Sequence, residues 1–296
     1  MNTKTVRHMY VTAAVAVAFA SITSCNGSGG EQDSKQDRGA GVVKVDPIAA
    51  LRSVQAKTKG ADSARVEGTT VMGDAMSMKQ SGAIAWTDGL TGTIEITYTG
   101  GTMADSLKQA GVNGPIEARY FKEGYVVNMG AATAQQSGGK HWISYDYDDL
   151  AEVAGAAGEV MKDQLQNTTP DQGVKSLLAS GDVKKVGRED VRGVTATHYS
   201  GTVDVAELSA KNSSLDADQL AQLKKQLSDA GITTEKVDIW VDDNDLLVKK
   251  VERGQMKTGE FNSTVFYSDY GTKVSAERPA ASDTVDFREL MQKGTS

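Results

Sequence analysis

This sequence has little of what catalysis or covalent stapling requires. It has one cysteine in 296 residues, Cys25, so no disulfide can close within the chain. There are three histidines, His8, His141 and His198, and none sits in HxxxH, HExxH or CxxC spacing, which argues against a zinc site. The phosphate-cradling GxxxxGKS/T loop and a strand-linked GxGxxG are both missing, so nucleotide binding has no motif behind it. The nearest approach to a serine nucleophile turn, Gly27-Ser28-Gly29, lies in a stretch without strand or helix character. No cofactor and no metal are therefore expected, and the chain reads as a non-enzyme. Basic residues are also in the minority, 32 against 39 acidic, giving a net charge of −7. That balance excludes an electrostatic grip on nucleic acid or on anionic headgroups.

Long apolar runs are scarce as well, and the main one is N-terminal. Lys4 and Arg7 precede an uncharged run from Met9 to Ala20, too short for a permanent membrane helix and suited to an export signal. The run ends at Ile22-Thr23-Ser24-Cys25, which resembles the lipobox of bacterial lipoproteins, with Ile22 for the usual Leu and Ser24 for Gly or Ala. The expectation is cleavage between Ser24 and Cys25 and a diacylglycerol on the Cys25 sulfur. Two acyl chains suffice for stable anchoring where one is marginal. An ordinary secretory signal with an incidental cysteine is the alternative.

Three units follow from composition: a signal over 1–24, an acylated cysteine and tether over 25–45, and a folded domain over 46–296. From Asn26 to Val45 the chain is rich in Gly, Ser, Gln, Asp and Lys, too polar to offset the entropy of ordering. A Gly-rich coil of about 20 residues spans roughly 25 Å on average. No Pro/Gly-rich break divides the remainder.

The folded part starts with a helix over Pro47 to Lys59, with Asp46 as N-cap, Pro47 at its first position and Gly60 as stop. Strand-like runs follow at Ala64–Met72, Ala75–Thr87 and Thr91–Thr99. Met76, Met78, Ile84 and Trp86 share one parity, with Ser77, Lys79 and Ser81 on the other. Ile94, Ile96 and Tyr98 likewise oppose Thr93, Glu95 and Thr97. One buried and one wet face result. Further strands are expected at Ile116–Phe121, Tyr125–Met129 and His141–Tyr147, with a mobile loop over Thr133–Lys140. Helices are expected over Asp149–Gln166, capped by Asp148 or Asp149, and over Asp171–Ala179, Val205–Ala210 and Asp216–Ala230. Val183–Glu189, Thr195–Asp204, Val237–Val251 and Phe261–Gly271 complete the alternating segments, and Asp286–Gln292 forms a last helical turn. Helices placed between runs of strands indicate α+β.

Several of these pieces resemble the LolA-like lipoproteins, in particular the actinobacterial LppX/LprG type. They are Gly193 with Thr197-His198-Tyr199 and Val203-Asp204, then Val237-Asp-Ile-Trp-Val-Asp242, and Tyr267-Ser-Asp-Tyr-Gly271 leading to Pro279. The resemblance implies a strongly curved antiparallel sheet, or half-barrel, with helices covering its concave side and an apolar cavity between them. It implies lipid binding without catalytic residues.

Met76, Met78, Ile84, Trp86, Ile94, Ile96 and Tyr98 are accordingly the candidate cavity lining; for the methionines, filling the core is the simpler reading. Asp242 to Asp245 reads as a hairpin turn, since Leu247 and Arg253 hold the places of the Gly and Glu of a calcium loop. Asp146 to Asp149 reads as a strand end and helix cap, and His198 as a structural residue. The resulting expectation is a monomeric lipoprotein anchored on the extracytoplasmic face of the cell membrane, carrying a lipid or glycolipid. A ligand-free protein-interaction or regulatory module of the same fold is the alternative.

Overall fold

A computed structural model describes residues 46–150, 152, 153, 162, 165, 169–206 and 217–294. The expected signal, tether, Ser24 and Cys25, and most of the helices expected over Asp149–Gln166 and Val205–Ala210, lie outside these residues.

Among the described residues, twelve strands form one sheet in the order β12-β6-β5-β4-β3-β2-β1-β11-β10-β9-β8-β7, curved and not closed into a barrel. The N-terminal strands are β1 (Ser63–Met72), β2 (Met76–Ala85), β3 (Thr91–Gly100), β4 (Ile116–Phe121), β5 (Gly124–Asn128) and β6 (Trp142–Asp146). The C-terminal strands are β7 (Lys184–Val191), β8 (Val194–Asp204), β9 (Thr234–Val241), β10 (Leu247–Met256), β11 (Gly259–Ser268) and β12 (Thr284–Asp286). All pairings are antiparallel except β12 with β6.

Among the described residues, the helices accompanying the sheet include α1 (Pro47–Lys59), α2 (Gly101–Gln109), α3 (Ala131–Gln136), α4 (Pro170–Ala179), α5 (Ala217–Ala230) and α6 (Phe287–Gly294). Asp46 caps α1 as expected, its Oδ1 accepting from the Ile48 amide at 3.0 Å. Helix α1 packs on α4, which lies on β8, β9 and β10, while α2 sits against β2 and β3. Leu51 and Val54 of α1 and Val174 and Leu177 of α4 join the main core with the buried residues of both halves of the sheet. The core therefore fills the concave side.

Three expectations need correction. The loop expected over Thr133–Lys140 begins inside α3. The helix expected from Asp149 starts at residue 147, and Asp146 is its cap, accepting from the amides of Asp148 at 2.8 Å and Asp149 at 3.3 Å. Helix α2 falls where no helix is signalled, because Gly100 precedes it and supplies no capping side chain.

Curvature has local causes. The sheet carries register shifts at Ser77/Met78, Lys185/Gly187 and Leu247/Lys249, and such bulges increase coiling. Gly82 lies where a Cβ would stand 2.1 Å from the Thr93 carbonyl oxygen on the next strand. A side chain there would point into its neighbour strand, as happens at a sharp bend.

The outer face carries two small cores. Val191, Ala196, Trp240 and Val251 form one, with Phe266 packed against it. Phe121, Val126 and Trp142 form the other, covered by Ala276 from the segment that returns from β11 to β12.

Candidate functional site

The concave face of the sheet is the candidate site. Alternation along β2 and β3 brings Met76, Met78, Ile84, Ile94 and Ile96 to it, and Trp86 joins them just past β2. These six are 0–9% exposed, and Tyr98 is partly buried against them. The structure thus gathers all seven expected residues on one side. The Trp86 indole nitrogen donates to the Lys59 carbonyl at 3.0 Å, tying this face to the end of α1.

Next to this apolar floor stands a group of tyrosines absent from the sequence expectation. Register aligns Tyr120 with Tyr125 and Tyr125 with Tyr145. Their rings stack, at 5.8 Å for the first pair and 4.8 Å for the second, and Tyr147 tilts against Tyr125 at 6.2 Å. Phe287 of α6 closes the row against Tyr145 at 5.1 Å. Burial pushes the Tyr98 and Tyr145 phenols up to about 12. Burial, and then repulsion between the neighbouring phenols, raise Tyr120 and Tyr125 as well. The signal available in the sequence was the shared parity of Tyr145 and Tyr147 around the β6 end, with Tyr120 and Tyr125 flanking a turn.

In the other half, charge is buried on the same side. Lys250 and Glu252 are each 2% exposed, and the Lys250 Nζ donates to Glu252 Oε1 at 2.6 Å. They pair in register with the core residues Ile239 and Val237. Glu235, partly buried near the start of β9, has its carboxyl raised to about 8, by loss of hydration first and then by Glu252, with Lys250 opposing. Helix α4 is seated on the Lys250 stem, since a Cβ on Gly173 would come within 2.4 Å of its Cδ.

The outer face binds its own polar groups. The two His198 ring nitrogens lie 2.9 Å from Glu189 Oε1 and from Asp238 Oδ1. Its ring stacks on Trp240 at 4.2 Å, and the Trp240 nitrogen donates to Glu189 Oε2 at 3.0 Å. Every polar atom of the imidazole is thus engaged in holding β7, β8 and β9 together. Asp242 Oδ1 accepts from the amides of Asn244 and Leu246, and Asp245 adopts φ +61°, so this acidic cluster is the β9–β10 turn. Two concavities lie away from the apolar floor. One, about 290 Å³, is bordered by Glu67, Lys79, Glu95, Arg192 and Phe266. The other, about 420 Å³, is bordered by Asn113, Glu117, Asn128 and Met129.

Open antiparallel sheet, apolar concave side and helices laid over it define an α+β half-barrel. No protein-family model matches the chain. It is 71% identical over 253 residues to an uncharacterized 31.2 kDa protein of the rplA-rplJ intergenic region of Streptomyces griseus, covering 86% of this chain and 83% of that one. It is 44% identical over 307 residues to a Streptomyces coelicolor protein named "Putative lipoprotein SCO4650", covering 98% of both. The chain belongs to the family of these two Streptomyces proteins. Solved structures similar to it include LprF from Mycobacterium bovis, at TM-score 0.47 and 14% identity over 79% of this chain and 97% of that one. Lipoprotein LppX from Mycobacterium tuberculosis is similar at TM-score 0.47 and 13% identity, over 78% and 98%.

Proposed function

We propose that this protein is an extracytoplasmic lipoprotein, anchored to the cell membrane through acylated Cys25, that binds a lipid or acylated ligand on the concave side of its sheet. The observation that carries the reading is the largely apolar face of β2 and β3, built by Met76, Met78, Ile84, Trp86, Ile94 and Ile96 around the buried Gln80 and lying under helices rather than under a second sheet. A concave apolar surface with few polar groups takes acyl chains by burial, at about 0.8 kcal/mol per methylene. The name carried by the Streptomyces coelicolor relative and the Ile22-Thr-Ser-Cys25 sequence support the anchor.

The near-complete burial of the same six residues favours a second reading, a filled-core module that binds a protein partner. Native mass spectrometry of the protein purified gently from its host separates the two. A co-purifying mass in the lipid range, released by organic solvent, is the expected result. A bare protein mass that persists after incubation with host membranes would leave the interaction module.

A further inference from the structure

The connection from α2 to β4 holds a chemically reactive pair between two fixed points. Helix α2 ends with Gly111 at φ +86°, whose amide donates to the Lys108 carbonyl at 2.9 Å while the Val112 amide donates to the Leu107 carbonyl at 2.8 Å. Val112 packs against the main core, and beyond the connection Ile116 is 1% exposed in β4. Asn113 and Gly114 lie between these anchors, both exposed and outside helix and strand. Among the described residues the Gly114 amide donates to no acceptor. A Cβ on Gly114 would meet nothing within 4 Å, so the space beside that amide is open.

We propose that Asn113 is a site of spontaneous covalent modification, losing its side-chain amide through a cyclic imide formed with Gly114. The Gly114 amide nitrogen gives its proton to water and attacks Asn113 Cγ. A nitrogen–carbon bond forms, the Cγ–Nδ2 bond breaks, and the leaving nitrogen takes a proton from water and departs as ammonia. Water then opens the imide at either carbonyl, giving an aspartate at this position or an isoaspartate linkage that runs the backbone through Cγ. The net change is asparagine plus water to acid plus ammonia, with no oxidation and no enzyme. Glycine shields the attacking nitrogen least, because it has no Cβ. The other described asparagines lack this combination. Asn244 precedes Asp245, whose amide donates to the Asp242 carbonyl at 3.2 Å. Asn262 is held in β11, in register with Val71 and Arg253, and Asn128 in β5 precedes Met129.

The modification alters the end of α2. Asn113 Nδ2 donates to the Gly111 carbonyl at 3.1 Å. A carboxylate has no donor for that carbonyl, and it puts negative charge beside the negative end of the α2 dipole. It also joins Glu95 and Glu117 around the concavity of about 420 Å³ that Asn113 borders. The site does not rest on the lipid-binding reading.

The test incubates the purified full-length chain in mildly alkaline buffer and maps its peptides by mass spectrometry over time. Asn113 is expected to exchange the mass of NH for that of O, as two isomeric products, at least about tenfold faster than Asn128, Asn244 and Asn262. Gly114→Ala is expected to slow the change at Asn113 about tenfold. In Asn113→Asp the Gly111 and Val112 amides are expected to exchange with deuterium at least about threefold faster than in the wild-type protein. Separate peptides distinguish this pair from Asn26-Gly27, the other Asn-Gly in the chain. Amide loss at Asn113 no faster than at the three comparison asparagines overturns the site, and that result depends on no variant folding. Equal rates with and without Gly114 overturn the imide route. Unchanged deuterium exchange in Asn113→Asp overturns the effect on α2.

Discussion

Lys250 and Glu252 illustrate how much a single position can hide. Both are charged, both stand in a strand of mixed polarity, and both point into the core. Leu247, an odd-numbered residue, also faces the core, and the register shift between Leu247 and Lys249 moves the inward parity to even numbers. Simple alternation along Leu246–Met256 cannot anticipate such a flip, because the bulge depends on pairing with β9. The consequence is measurable at Glu235. Its carboxyl is raised in the folded protein to about 8 from an ordinary 4.5. Between those two values the folded chain keeps a proton that the unfolded chain has lost. Stability should therefore fall as pH rises from about 4.5 to about 8 and level off above it, by at most about 1.4 kcal/mol per pH unit from this group. Urea titrations across that range should show the slope, and Glu235→Gln should flatten it; an unchanged slope in the variant would refute the assignment. The common face of Met76, Met78, Ile84, Trp86, Ile94, Ile96 and Tyr98, by contrast, was legible, because period-two alternation in β2 and β3 is a property of neighbouring residues.

Among elements, those with local punctuation were readable. Helix α1 has an Asp cap, a Pro at its first position and a Gly at its end, and it runs from Pro47 to Lys59 as expected. Helix α2 has a glycine at its N-cap and no side-chain cap, and β12 is three residues long, so neither carried a signal. The bend of β1–β3 rests on glycines whose role appears only when the neighbouring strand is in place. Gly82→Ala places a methyl 2.1 Å from the Thr93 carbonyl oxygen, backbone that cannot step aside. It should cost on the order of 1–3 kcal/mol, read as a lower urea midpoint. Gly187→Ala, where a Cβ meets nothing within 4 Å, serves as the control and should be close to neutral. Equal behaviour of the two variants would show that the bend does not depend on close strand approach.

For the whole molecule, the reading joins a lipid-anchored end to a ligand-binding face. Cys25→Ser should move the chain from the membrane fraction to the soluble one and abolish labelling by a radioactive fatty acid. Retention of the variant in the membrane would mean that the folded part binds there by itself. Composition, the N-terminal apolar run, caps and strand parity are set by adjacent side chains, so the α+β class, the strand segments and the apolar face could be read along the chain. Other features join residues far apart in sequence. β1 lies between β2 and β11, and β12 returns to run parallel with β6. A charged pair sits beneath α4, and four strand-borne or strand-flanking tyrosines stack into one group. Their positions are the outcome of sheet order, bulges and coiling, which arise from the mutual fit of the strands and leave no pattern in any single stretch.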